Sequence, residues 1–187
     1  QAHPEWYILG EKKETGACMD GFFQAEQAPG KPCIAHGRDP YFPPWTDTAQ
    51  INYANPAARN AIVDTVSYLS DYCHGFRCDM AMLVLKDVFE RTWGNYVNGN
   101  EWDQEFWSHV VDSISSGGRP FLFLAEAYWG LEDRLLDLGF SYVYDKAYYD
   151  LLARADIAGL MTHLSMPVHR QQQLIRFLEN HDEPRAF

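Results

Sequence analysis

Three apolar runs, each closing on a carboxylate, constrain this chain more than any other feature. They are Gly75-Phe76-Arg77-Cys78-Asp79-Met80-Ala81, Phe123-Leu124-Ala125-Glu126-Ala127 and Phe177-Leu178-Glu179-Asn180-His181-Asp182. A short continuous apolar run suits a strand buried on both faces, as parallel sheets require. A buried strand that delivers an acid at its C-terminal tip is how a (β/α) barrel assembles an active site.

The segments between the runs fit that architecture. Asn55-Pro56 reads as a helix cap followed by proline at the first helical position, with Ile62, Val66 and Leu69 at helical spacing. A helix is expected over 83–92. Trp102, Phe106, Val110 and Ile114 recur every four residues and mark a helix that stops at Gly117-Gly118. Pro120 opens an apolar strand over 121–124. A short helix over 131–138 ends at Gly139, a strand covers 140–144, a helix 146–154 and a last strand 174–179. Strands alternating with helices imply βαβ units and a parallel sheet, an α/β fold. Residues 1–50 behave differently. Pro29-Gly30, Gly37, Asp39-Pro40 and Pro43-Pro44 are turn signals in a stretch of weak periodicity, which reads as a long irregular excursion.

Composition narrows the partners. Asp plus Glu number 26 against 15 Lys plus Arg, for a formal charge of −11. That balance argues against a nucleic-acid or anionic-membrane partner and is compatible with a neutral polymer such as a sugar chain. No apolar run approaches the roughly 18 residues of a membrane span. The chain opens on Gln1 rather than Met and is expected to be a piece of something longer, which leaves its compartment open. Cys18, Cys33, Cys73 and Cys78 form no CxxC pair and no zinc spacing. Cys18 and Cys33 could pair in a loop, and Cys78 is expected to act as a small packed hydrophobe. The histidines show no HExxH or other metal spacing.

Each acid taken alone has a plainer reading. Asp79 could be an ordinary helix cap, Glu126 a surface acid, His181-Asp182 turn residues and Arg77 an ion-pair partner. Their occurrence together, in order, on three strand ends points to cleavage of glycosidic bonds. That reaction needs carboxyl groups flanking the anomeric carbon. Arg77 and Asp79 are two apart and share a strand face, so the guanidinium should sit beside the carboxylate and keep it ionised. Glu126 would need a raised pKa to act as an acid, from burial and from a neighbouring carboxylate such as Asp182.

The three runs resemble the second, third and fourth signature regions of the α-amylase family of retaining α-glycosidases. The resemblance runs from about Trp45 to the end. It implies a partial (β/α)8 TIM barrel covering about strands four to seven, with residues 1–50 as a short irregular domain-B-like segment and 51–187 as the central part of the catalytic barrel. It implies a retaining α-glycosidase acting on α-linked glucans or maltooligosaccharides, with an oligo- or polysaccharide as the partner. The resemblance makes Asp79 the nucleophile that forms a glycosyl intermediate and Glu126 the acid and base, with carboxyls about 5–5.5 Å apart in a ligand-ready site. Asp182 becomes the third carboxylate, and Arg77 and His181 the accompanying substrate-binding positions. Tyr128 and Trp129, just after the acid, are candidates to line the cleft, with core packing as the alternative. Trp45 is a candidate sugar platform, and Asn180 a support for its loop.

The match also departs from the family. Met82 and Leu83 stand where many members have Lys-His, and Gln50, in a run resembling a fifth region, stands where Asp is common. Both changes remove oxygen ligands that calcium favours, so no cofactor is required and calcium is only compatible. The family's first signature region and eighth strand are expected outside residues 1–187, and this segment by itself is expected to be inactive. A transglycosylase of the same family is the alternative within catalysis. A non-catalytic homologue that binds sugar or protein is the alternative outside it.

Overall fold

The runs ending in Asp79 and Glu126 form adjacent parallel strands. This computed structural model describes residues 3–26, 30–97, 102 and 104–185. Two units emerge, Gln1–Asp71 with Leu83–Ser113, and Tyr72–Met82 with Ile114–Phe187.

In the first unit, the stretch read from sequence as an irregular excursion carries a small antiparallel sheet. Its strands are β1 (Leu9–Gly10), β2 (Phe22–Gln24) and β3 (Cys33–Ala35), with β3 in the middle. Ile34 lies opposite both Leu9 and Phe23, and all three residues of β3 are buried. A disulfide joins Cys18 to Cys33. Strands of two or three residues are too short to leave an alternating pattern in sequence, which is why periodicity misses them. The Pro29-Gly30 turn signal lies partly outside the described residues. The chain returns to this sheet at residues 50–51, where Ile8 N–H donates to Gln50 O at 2.9 Å and Gln50 N–H to Ala35 O at 2.8 Å.

Helix α1 (Pro56–Ser70) begins as expected. Asn55 Oδ1 accepts the N–H groups of Ala57 and Ala58 at 2.9 and 3.3 Å, and Pro56 occupies the first turn, where its missing N–H costs nothing. Helices α2 (Lys86–Trp93) and α3 (Phe106–Ser115) follow. The helix expected from Trp102 thus starts at Phe106, and residue 103 lies outside the described residues. Ile8, Val63, Leu85, Val88, Phe89, Phe106 and Val110 are buried, and Tyr53 meets Phe89 and Phe106 edge-on.

The second unit holds a parallel sheet of β4 (Gly75–Cys78), β5 (Leu122–Ala125), β6 (Tyr142–Tyr144) and β7 (Leu174–Ile175), in that order. Each strand pairs with the next in sequence, whereas a doubly wound sheet reverses its order. The register sets Arg77 opposite Leu124 and Cys78 opposite Ala125. Gly75 is needed at the start of β4, because a Cβ there would lie 2.6 Å from Leu122 O. Phe76, Phe121, Phe123 and Phe140 pack ring on ring, with neighbouring centroids 4.8–5.8 Å apart, and Ala125, Leu135 and Val143 are sealed from solvent.

Helices α4 (Glu132–Asp137) and α5 (Lys146–Ala153) fall where periodicity puts them. Two more, α6 (Ile157–Leu164) and α7 (Val168–Gln171), were not anticipated. The strand expected over 174–179 pairs only at Leu174 and Ile175. Among the described residues β7 has a strand neighbour on one side alone, and beyond Ile175 the chain leaves β6, so Arg176 to Glu179 lie outside the ladder.

Candidate active site

The backbone first brings Asp79 and Glu126 together. The β4–β5 pairing continues past the strand ends, with Glu126 N–H donating to Cys78 O at 3.0 Å and Ala81 N–H to Glu126 O at 2.9 Å. Between these bonds Met80 adopts φ +43°, in the left-handed region a side chain disfavours at a cost of about 1–2 kcal/mol. That turn aims the Met80 N–H at Glu126 Oε2, 2.9 Å away. Backbone strain here coincides with a donor directed at a carboxylate.

Glu126 is 2% exposed and bonded through both oxygens. Tyr128 donates its hydroxyl to Oε1 at 2.6 Å. Arg77 Nη2 donates to Oε2 at 2.9 Å, while Arg77 Nη1 lies 3.2 Å from Asp79 Oδ2. One guanidinium therefore bridges both acids, with Arg77 in β4 and Asp79 in the turn just after it. Burial pushes the Glu126 pKa up, and a hydrogen bond with the Asp79 carboxyl adds to it. Tyr128, the Met80 N–H and Arg77 oppose them, and the net direction is upward. The carboxyl acting on Glu126 is thus Asp79 rather than the Asp182 suggested by sequence. Adjacency of β4 and β5 explains this, because Asp182 follows β7 at the other end of the sheet order.

The remaining candidates spread outward. Burial and then the bond to Glu126 push the Tyr128 pKa up, and the charges of Asp182 and Glu183 add to this. Asp182 therefore lies within electrostatic reach of the Tyr128 hydroxyl. Its loop is shaped by Asn180, whose Oδ1 accepts the N–H groups of Asp182 and Glu183 at 2.9 and 2.8 Å. His181 Nε2 lies 3.1 Å from Asp182 Oδ2, and both side chains are more than half exposed. Trp129 is 40% exposed at φ +64°, ahead of Gly130 at φ +72°. Trp45, in the first unit, is held by its N–H to Gly37 O at 2.8 Å.

Sequence reasoning missed Tyr144. Arg77 Nε donates to its hydroxyl at 3.3 Å, and the guanidinium lies over its ring at 5.6 Å. Burial alone would lower the Arg77 pKa, but Tyr144, Glu126 and Asp79 outweigh it and raise the value. The missed signal was positional, since Tyr144 closes β6 as Cys78 closes β4 and Ala125 closes β5. Cys78 is as inert as its sequence context suggests, its thiol pushed by burial to about 12. Among the described residues no group of three or more His, Cys, Asp or Glu side chains gathers to hold a metal.

Comparison with known proteins is informative only at the level of structure. No family model and no curated protein sequence matches the chain. The α-amylase from H. orenii shares 17% identity over 95% of this chain and 36% of its own, with a TM-score of 0.58. The trehalose-6-phosphate hydrolase of Bacillus licheniformis shares 16% over 96% and 37%, at 0.59. An α-amylase from Lactobacillus plantarum shares 22% over 97% and 38%, at 0.55. This chain thus spans a little over a third of the length of these proteins. It resembles part of the α-amylase-family catalytic domain in fold as well as in its three motifs.

Proposed function

We propose that this chain is the central part of a (β/α)8 catalytic barrel, with β4 to β7 as its fourth to seventh strands and residues 1–50 as a domain-B-like segment. Its activity is retaining cleavage of α-linked glucans or maltooligosaccharides. Asp79 attacks the anomeric carbon while Glu126 passes its proton to the departing glycosidic oxygen, leaving a glycosyl ester on Asp79. Glu126 then takes a proton from water, which attacks the same carbon and releases Asp79. Asp182 and His181 bind sugar hydroxyls, and Tyr128 and Trp129 line the cleft.

One observation carries the reading. Arg77 bridges Asp79 and Glu126 at adjacent strand tips, with the more buried acid tuned upward. A buried acid with a raised pKa, tied through one guanidinium to a second and more exposed carboxyl, suits the division of labour a retaining mechanism requires. The singly wound strand order supports the barrel, and the shared fold supports a carbohydrate substrate.

Asp79→Asn and Glu126→Gln in the full-length protein test it. Each should lower turnover of maltooligosaccharides by about a hundredfold or more, and proton NMR of early product should show the α-anomer. Ordinary turnover in either variant, or a β-anomer released first, overturns the assignment. The product profile at high sugar concentration separates hydrolysis from transfer to a second sugar.

A further inference from the structure

We propose that the C-terminal tip of β6, residues Tyr144 to Lys146, is a positioning element that holds both arms of the site: Tyr144 orients Arg77 between Asp79 and Glu126, and Lys146 anchors the loop bearing Asp182 through Glu183. The inference rests on the function proposed above and concerns how that site is kept in register.

Three consecutive residues reach in different directions here. Tyr144 supplies an acceptor to the third edge of the Arg77 guanidinium. Nη2 is engaged by Glu126 at 2.9 Å, Nη1 by Asp79 at 3.2 Å and Nε by the Tyr144 hydroxyl at 3.3 Å. With only the two carboxylates, the planar fork could still swing about its stem. With an acceptor at Nε and a ring beneath it, the fork has one orientation. The ring is itself packed against Phe177, with centroids 5.4 Å apart.

Lys146 works on the other side. Its Nζ lies 2.9 Å from Glu183 Oε1 and 2.5 Å from Asp150 Oδ1. Tyr149, three residues on and on the same face of α5, donates its hydroxyl to Pro184 O at 3.4 Å. Residues 183–184 are therefore gripped by one helix turn. Because Asn180 Oδ1 accepts the N–H groups of both Asp182 and Glu183, fixing Glu183 also fixes Asp182.

Asp145, between the two, makes the tip rigid. It is 2% exposed, caps α5 through Tyr148 N–H at 3.1 Å, and pairs with His163 at 2.8 Å and Arg176 at 3.1 Å. A purely structural tip would need the Asp145 cluster alone. The hydroxyl on Tyr144 adds a contact to Arg77, and the ammonium on Lys146, besides bonding Asp150 of its own helix, adds one to Glu183 in the loop of Asp182.

The test uses the full-length protein with a nitrophenyl maltooligosaccharide, measuring kcat and KM across pH, with Glu126→Gln as control. Tyr144→Phe keeps the ring and removes the acceptor. It should lower kcat about tenfold, as loss of a hydrogen bond to a charged group does, with KM unchanged. Arg77 holds the Glu126 pKa down, so loosening it should also move the alkaline limb of kcat/KM upward. The groups facing Glu126 that set this limb are Arg77, Asp79, Tyr128 and the Met80 N–H. Lys146→Met should raise KM about fivefold, the scale of a part-exposed ion pair, without moving the limb, and Lys146→Arg should restore it. A second readout does not depend on activity: the Arg77 Nε–H signal in NMR should exchange faster in Tyr144→Phe. Wild-type kinetics and limb in Tyr144→Phe, or equal losses in Lys146→Met and Lys146→Arg, overturn the proposal. If Glu126→Gln stays active, the reading of the site itself fails. If it is inactive while Tyr144→Phe is unchanged, only the role of the β6 tip fails.

Discussion

At Glu126, burial and the neighbouring Asp79 carboxyl favour the protonated form, and three donors favour the ionised one. The first pair prevails, and this has a consequence for stability. A carboxyl with a raised folded-state pKa contributes stability that is full below the ordinary value, about 4.3, and is lost as pH rises through the raised one. Urea midpoints of wild type and Glu126→Gln should therefore diverge across that window, because the variant lacks this pH dependence. Parallel curves would contradict the raised value. Tyr128 is the second lever. Its hydrogen bond lowers the Glu126 pKa, so Tyr128→Phe should push the alkaline limb of kcat/KM upward and cost about tenfold in kcat. An unmoved limb would reduce Tyr128 to packing.

Among the elements, β4 depends on a residue with no side chain. Gly75→Ala would drive a Cβ to 2.6 Å from Leu122 O and 2.9 Å from Leu122 Cβ, and the backbone oxygen cannot step aside. The β4–β5 ladder must then shift, at a cost of roughly 1–3 kcal/mol. Because the same ladder carries Asp79 and Glu126, activity should fall along with the melting temperature. A variant with wild-type stability would mean that the strands part more easily than their register suggests. Helix α1 offers a contrast far from the acids in sequence. Asn55→Ala removes the acceptor of two N–H groups and should cost about 1 kcal/mol, read as a lower denaturation midpoint.

Across the whole molecule, the two units are stabilised by different means. In the first, the Cys18–Cys33 bridge closes a loop with a sequence separation of 15. Chain entropy assigns about 3 kcal/mol to a loop of that size. Cys18→Ser with Cys33→Ser should lose that much in denaturant unfolding and raise hydrogen exchange first in β2 and β3. In the second unit, β4 and β7 each have one strand neighbour among the described residues. Open strand edges invite pairing with other chains. Residues 1–187 expressed alone should accordingly self-associate in sedimentation and cleave starch poorly. A monomer that unfolds cooperatively and degrades starch at an ordinary rate would contradict this.

The sequence alone was enough for the parallel sheet, the α1 cap and the places of Asp79 and Glu126 just after β4 and β5, because these rest on local patterns: apolar runs, a capping asparagine before proline, and carboxylates at run ends; the run ending in Asp182 instead leaves the ladder after Ile175. The sequence also brought Arg77 beside Asp79, although the structure makes that contact from β4 to the turn after it and not along one strand face. It could not reveal the short strands β1 to β3, whose pairing joins residues far apart and leaves no period. Nor could it show which carboxyl neighbours Glu126, that Met80 bends to offer its N–H, or that Tyr144 completes the grip on Arg77. Those relations depend on strand order and register, which place Cys78 against Ala125 and so set Asp79 beside Glu126. Electrostatic influence follows distance through space, and only the folded chain sets that distance.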